Sequence, residues 1–440
     1  MILHYFLGIN RSGGLNRYAT DLAVTQQEAD EQVSVLFPSG SIMLRKNAVI
    51  RRVKDYHGIR SYELLGGNPI PLLEGIRDPN MILDQKHRLS ENDVVSFCKE
   101  VNPDILHIHT WMGFPEEILP RLKQQKCKII FSAHDYFGIC PKVNLIKPDG
   151  SLCLSVSNEE CSKCNMGAPS EKYLRLRNLG CLFKFKKILN PLNKLRMSLH
   201  KSQSQIEKTF CVHDYLSLQH HYHGLLKQCD RIHFNSEVTQ KNYLRYFPDL
   251  TGDIYPITHR DIIDRRRNKI VDETCIHMCF IGSLAPYKGF PLLKSVLKEL
   301  KSNQITNWHL DVWGNNTVGT DSQLSEITYH GYFSAQEEYQ VFQNVDLLIV
   351  PSICFETFGF VVAEALSCGV PVLCSKNVGA KCLVSPEMIF YSDQELKAKL
   401  CNLLENKEEL FLIRNEIIHS STSILSADEH WHIIKNNLYA

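Results

Sequence analysis

At 440 residues the chain is long enough for two or three domains with separate cores. It is 44% hydrophobic and 22% charged, an ordinary balance for a soluble globular protein, and a formal net charge of +1 excludes a nucleic-acid-binding character for the whole molecule. No apolar stretch approaches the roughly 18 residues of a membrane span. The opening MILHYFLGINRSGG has neither a basic leader nor a small-residue cleavage site, so it reads as a buried strand and not a signal peptide. Sixteen cysteines, several inside apparent strands, suit a reducing cytoplasm.

Short apolar runs alternate with helix-like segments. Expected strands are residues 2–9, 33–37, 105–109, 128–134 and 231–235, then 276–282, 309–314, 327–331, 346–352 and 371–375. Most are continuously apolar, as strands covered on both faces are, so an α/β fold with parallel sheets follows. The polar stretch 249–274 breaks the rhythm and divides the series in two. The expected domains are 1–255, joined by a C-terminal helix at 421–440, and 256–420. An insertion at about 141–228 is too long for a bare connection. Between Lys172 and Lys201 it holds nine Lys or Arg and no acid, with Phe, Leu and Ile interleaved at 181–195. That pattern fits a helix on an anionic membrane surface, or a solvated basic helix packed on its own domain.

Five groups of residues stand where chemistry is done. Gly13 and Gly14 follow the first strand and open a helix, where backbone amides favour an anion; the plain alternative is a tight turn. His109, His134 and Asp135 end parallel strands, the ligand-binding edge of open α/β sheets. His107 points the same way as His109 but stops short of the strand end. In FIGSLAPYKG, Gly282 and Gly289 permit close backbone approach, and Lys288 is a point charge for a phosphate. In FETFGFVVAEALSCGVPV, Glu356 and Glu364 bracket a run whose helix is ended by Gly369. The amides of Thr357, Phe358, Gly359 and Phe360 would be free at its N-terminus, and Glu364 would take the hydroxyls of a ribose. Cys140, Cys153, Cys161 and Cys164, ending in a C-x2-C, fit a structural zinc site, free thiols or a disulfide.

Glu356-x7-Glu364 after the strand DLLIVPS, with GGLNRY, the HD of AHDYFGICP, FNSE at 234–237 and GSLAPYKG, resembles glycosyltransferase family 4 over almost the full chain. The resemblance implies a GT-B fold, two Rossmann-like doubly wound domains facing across a cleft, with the nucleotide-sugar donor mainly on the second. It implies transfer with retention of configuration and no metal required for catalysis. Glu364 resembles the ribose ligand, and Glu356 the acid beside the donor sugar. Lys288 resembles the diphosphate lysine, and His134 the histidine at the transferred sugar, while His109 and Asp135 are expected on the acceptor side. Gly13 and Gly14 resemble the loop near the diphosphate. Ser283 departs from the pattern, since the family has arginine there. The expected product class is a bacterial surface polysaccharide such as O-antigen, capsule or lipopolysaccharide. The expected acceptor is a glycan, lipid-linked and met at the inner face of the cytoplasmic membrane. Rival readings are a nucleotide-sugar-binding protein without turnover and a GT-B epimerase.

Overall fold

A computed structural model of the chain describes residues 1–9, 11–39, 47–177, 211–266, 275–334, 337–421 and 423–440. The interleaved basic run at 181–195 lies outside the described residues. Two sheets account for every expected strand. The first contains β1 (Ile2–Tyr5), β2 (Val33–Pro38), β3 (Val49–Arg52), β4 (Arg60–Leu65), β5 (Ile105–Ile108), β6 (Lys128–Ala133), β7 (Arg231–Phe234) and β8 (Asp253–Ile254). Their order across the sheet is β3-β4-β2-β1-β5-β6-β7-β8. The second contains β9 (Ile276–Ile281), β10 (Trp308–Trp313), β11 (Val318–Thr320), β12 (Ile327–Gly331), β13 (Leu347–Val350), β14 (Val372–Ser375) and β15 (Ile389–Phe390), in the order β11-β12-β10-β9-β13-β14-β15. Pairing is parallel throughout except at the edge pairs β3–β4 and β11–β12.

Both orders reverse direction beside their first strand, between β1 and β5 and between β9 and β13. Such a switch point leaves a crevice outside the carboxyl ends of the strands. The continuous apolar runs are buried as their composition requires: β1, β13 and β14 are covered along their whole length. Five short strands were not expected. β3 and β4 carry Arg51, Arg52, Arg60 and Glu63, and β8, β11 and β15 are two or three residues long, so none presents an apolar run.

The chain ends on the domain in which it begins. Ser426 caps the helix Ala427–Ile434, with a reciprocal bond from Glu429, and the helix continues into a wider π turn, Lys435–Tyr439. Tyr18 Oη lies 2.9 Å from His430 Nε2, and Lys435 pairs with Glu31 at 2.6 Å. Trp431, Ile434 and Leu438 join Tyr18, Leu22 and Ile257 in a core cluster that is continuous with the second domain. Among the described residues no helix is long and apolar enough to cross a membrane.

Candidate active site

The two switch points face one another across a cleft of about 1020 Å³. From the first sheet come the loop after β1, with Gly13 and Gly14, and the loop after β6, with His134 and Asp135. From the second come Lys288 and the segment from Pro351 to Glu364 that follows β13. Gly282, Ser283 and His109 do not line the cleft. Ser283 is exposed, and its hydroxyl accepts from the amide of Ala285 at 3.2 Å. His109 is wholly buried beneath His134.

Backbone geometry sets the position of Lys288. Pro286–Lys288 forms a single 3-10 turn closed by Gly289 at φ 78°, and a Cβ at Gly289 would stand 1.8 Å from the carbonyl oxygen of Pro351. Only glycine permits that approach. Lys288 Nζ then donates to Glu356 Oε1 at 3.0 Å, and Ser352 Oγ donates to the same oxygen. Burial would raise the Glu356 carboxyl, but the Lys288 charge and these hydrogen bonds outweigh it and hold it below its ordinary value. Burial likewise opposes the charge on Lys288, and Glu356 reverses the effect, raising its pKa. Both partners are therefore charged, and Glu356 is not a proton donor.

The loop between Glu356 and the helix Phe360–Ser367 is held from both domains. The carbonyl of Thr357 accepts from Ser236 Oγ at 2.5 Å and Thr239 Oγ1 at 2.9 Å, while Thr357 Oγ1 donates to the carbonyl of His134 at 3.1 Å. Gly359 enters the helix at φ 95°. The amides of Thr357, Phe358 and Gly359 make no backbone hydrogen bond among the described residues, so they are available to an anion at the helix N-terminus. Gly14 faces this helix across the cleft, where a Cβ would meet the Phe360 ring at 3.2 Å.

Glu364, one turn into the helix, is buried and already partnered. His259 Nε2 donates to its Oε1 at 2.9 Å, and Arg17 Nη1 donates to the same oxygen at 3.1 Å. Arg17 also reaches Glu338 at 3.0 Å and Asp261 at 2.7 Å, so one guanidinium from the first domain bridges three acids beyond it. Burial raises the carboxyl of Glu364, with Arg17 opposing, and burial together with Glu364 raises Glu338. The amide of Asp261 donates to His259 Nδ1 at 3.3 Å, which leaves His259 neutral, with its pKa lowered to about 4 mainly by burial. Arg17, His259, Asp261 and Glu338 were not singled out from the sequence. Arg17 sits inside the GGLNRY motif, but nothing in the sequence tells which distant acids it meets.

Asp135 accepts from Thr110 Oγ1 at 2.8 Å and from the amide of Phe137 at 2.9 Å, and burial raises its carboxyl to about 6. Cys140, Cys153, Cys161 and Cys164 all line a separate cavity of about 290 Å³. Among the described residues, the only groups of three or more His, Cys, Asp or Glu with ligand atoms within 4.8 Å of one another are His4–His107–His109 and His259–Glu338–Glu364. No three of the four sulfurs are that close. Burial raises the thiols of Cys140 and Cys161 to about 11 and about 12.

Residues 261–416 match the family model described as glycosyl transferases group 1. No curated protein matches the chain by sequence. Among solved structures, the chain is similar to sucrose-phosphate synthase from Thermosynechococcus elongatus, at a TM-score of 0.56 and 14% identity over 100% of this chain and 98% of that one. It is similar to Anabaena Alr3699/HepE in complex with UDP and glucose, at a TM-score of 0.57 and 12% identity over 100% and 99%. A third is WaaG, a glycosyltransferase involved in lipopolysaccharide biosynthesis, at a TM-score of 0.53 and 13% identity over 99% and 100%. These likenesses establish the two-domain GT-B fold, and with the glycosyl transferases group 1 segment they make the chain a transferase.

Proposed function

We propose that the chain moves a sugar from a nucleotide-sugar donor to a glycan acceptor, with retention of anomeric configuration. The observation that carries this reading is the pairing of Lys288 with Glu356 beside three uncommitted amides on one wall of the interdomain cleft. A diphosphate next to Lys288 and the amides of Thr357–Gly359 meets preorganised donors that need no rearrangement as negative charge builds on the leaving group. Ser283 brings no cation to it. The ribose lies toward Glu364, which must share its carboxylate with Arg17 and His259 or exchange Arg17 for the hydroxyls. The transferred sugar lies between Glu356 and His134. Glu356, charged and held by Lys288 and Ser352, orients that sugar and stabilises positive charge at the reacting carbon. Closure of the two domains excludes water from the donor.

HepE, whose structure contains UDP and glucose, supports a nucleotide donor here, and WaaG supports a surface-polysaccharide role. The lipid-linked acceptor and the membrane face rest on the basic insertion in the sequence. Thermal-shift screening against a panel of nucleotide sugars tests the donor, because a ligand of the folded state raises its stability. Glu356→Ala should keep donor affinity and lose transfer; equal turnover in that variant removes Glu356 from the reaction.

A further inference from the structure

Beneath His134 the first domain buries His109, His4, His107 and His233, and the hydrogen bonds of these five rings fall in one unbranched series. His134 Nε2 lies 3.2 Å from His109 Nδ1, and His109 Nε2 lies 2.9 Å from His4 Nδ1. His4 Nε2 meets Gln26 Oε1 at 2.7 Å, and Gln26 Nε2 donates to Tyr439 Oη at 3.2 Å. Tyr439 Oη is 2.7 Å from His107 Nδ1, and His107 Nε2 is 2.7 Å from Ser132 Oγ. Ser132 Oγ is 2.7 Å from His233 Nδ1, and His233 Nε2 is 2.8 Å from the carbonyl of Tyr255.

The far end fixes the direction of every bond. A carbonyl only accepts, so His233 Nε2 carries the hydrogen. A neutral imidazole has one donor and one acceptor, so Nδ1 of His233 accepts from Ser132. Ser132 then accepts from His107 Nε2, and His107 Nδ1 accepts from Tyr439. Tyr439 can only accept from Gln26, whose amide nitrogen does face it. The carbonyl of Gln26 is left for His4, and the same step repeats through His109 to His134. Burial keeps each ring neutral, as this pattern requires; His4 and His233 are lowered to about 4. All six ring nitrogens of His4, His107 and His109 are committed in this way, so their mutual closeness is that of a hydrogen-bonded series and not of a metal site.

His134 therefore carries its hydrogen on Nε2, turned inward. Its Nδ1 pairs with no described group and is not sealed from solvent, and the residue lines the cleft. We propose that the series makes His134 Nδ1 an obligate acceptor facing the transferred sugar, so that the site selects a sugar presenting a hydroxyl there and rejects one presenting a carboxylate, which would set lone pair against lone pair. Gln26, His4, His109 and the penultimate residue Tyr439 act as positioning residues for His134. The selectivity rests on the donor-site reading above; the tautomer does not.

Two measurements separate them. In the full chain labelled with ¹⁵N-histidine, long-range ¹H–¹⁵N spectra, assigned with His134→Gln, should show His134 as the Nε2–H tautomer without any ligand. The Nδ1–H tautomer or an imidazolium at neutral pH overturns the proposal. In Tyr439→Phe the Gln26 amide is free to turn over, and in Ser132→Ala the carbonyl anchor is cut without touching the chain terminus. Each should give a mixture of His134 tautomers, and an unchanged tautomer in both refutes the series as its cause. The second measurement compares affinity for UDP-glucose and UDP-glucuronate. The wild type should prefer the hydroxyl sugar at least tenfold, and the preference should fall toward one in both variants while affinity for UDP is unchanged. Preference kept in both variants overturns the selectivity. Failure of every nucleotide sugar to bind refutes the donor-site reading, and the spectra still decide the tautomer.

Discussion

Lowering the pH from 8 to 5 should unfold this protein well before its carboxylates are protonated in the unfolded chain. His4 and His233 are held at about 4 and His430 at about 3, in each case chiefly by burial. An unfolded histidine titrates near 6.5, so between about 6.5 and about 4 the unfolded chain binds protons that the folded one refuses, and stability falls as pH falls. Each shift of 2.5 or more is worth about 3 kcal/mol in full, of which roughly 2 kcal/mol is lost by pH 5. Three such groups give roughly 6 kcal/mol. Asp135 works the other way: its carboxyl, raised to about 6, takes up a proton more readily when folded and returns roughly 1 kcal/mol by pH 5. His107, His109 and His134, lowered in the same direction as the first three, add to the loss, while Glu338 and Glu364, raised like Asp135, offset part of it. A net fall of about 5 kcal/mol or more compares with a total of about 5–15 kcal/mol for a folded domain. Urea unfolding at pH 8, 6.5 and 5, followed by circular dichroism, reads it directly. The midpoint should fall modestly from 8 to 6.5 and steeply below. A midpoint that holds to pH 5 would show that the buried histidines are not neutral in the folded state.

Other outcomes follow from the cleft. Arg17→Gln leaves the buried acids Glu338 and Glu364 without their cation and should cost about 1–2 kcal/mol, discounted from the buried-pair range because Arg17 is partly exposed; an unchanged urea midpoint contradicts it. Gly289→Ala forces a Cβ into the Pro351 carbonyl at φ 78° and should lower stability by about 2 kcal/mol or more, whereas Gly13→Ala meets nothing within 4 Å and should cost only backbone strain, about 1 kcal/mol. If both variants melt alike, close approach is not what Gly289 provides. Ser352→Ala removes a hydrogen bond from Glu356 while leaving Lys288 in place, and should reduce transfer more than donor affinity, measured as kcat against KM. We also propose zinc at Cys140, Cys153, Cys161 and Cys164, whose sulfurs would have to close around it; elemental analysis should find one equivalent per chain, and well under one ends the idea.

The strands that position the site were legible because strands covered on both faces are continuously apolar, and the loops after them carry the polar residues. Glu356, Lys288 and His134 stood out for a related reason: each is a polar group in the segment that follows an apolar strand. What stayed hidden is pairing across sequence distance. Arg17 meets Glu364 from 347 positions away, and Tyr439 meets His107 from 332. His4 lies in the middle of an apolar run and reads as one more core position until the partners of both its nitrogens are known. His109 was expected at the acceptor side because it ends a strand; burial beneath His134 instead gives it a neighbour to orient.

The chain passes from the first domain to the second after Ile254 and returns before Ala427, so the two halves are joined twice. One tether would let the second half swing about every axis. Two crossings, tied to each other where Arg266 donates to the carbonyls of Ile417 at 3.1 Å and Ser420 at 3.3 Å, restrict that swing, as paired pins do on a gate. The final residues are therefore mechanical parts. Removing the last fourteen would release one pin and, with Tyr439, the far contact of the group that faces the substrate. A bulky fusion at the carboxyl end, beside the Lys128 that the Ala440 carbonyl meets, should be expected to alter the swing of the gate as well as its fit.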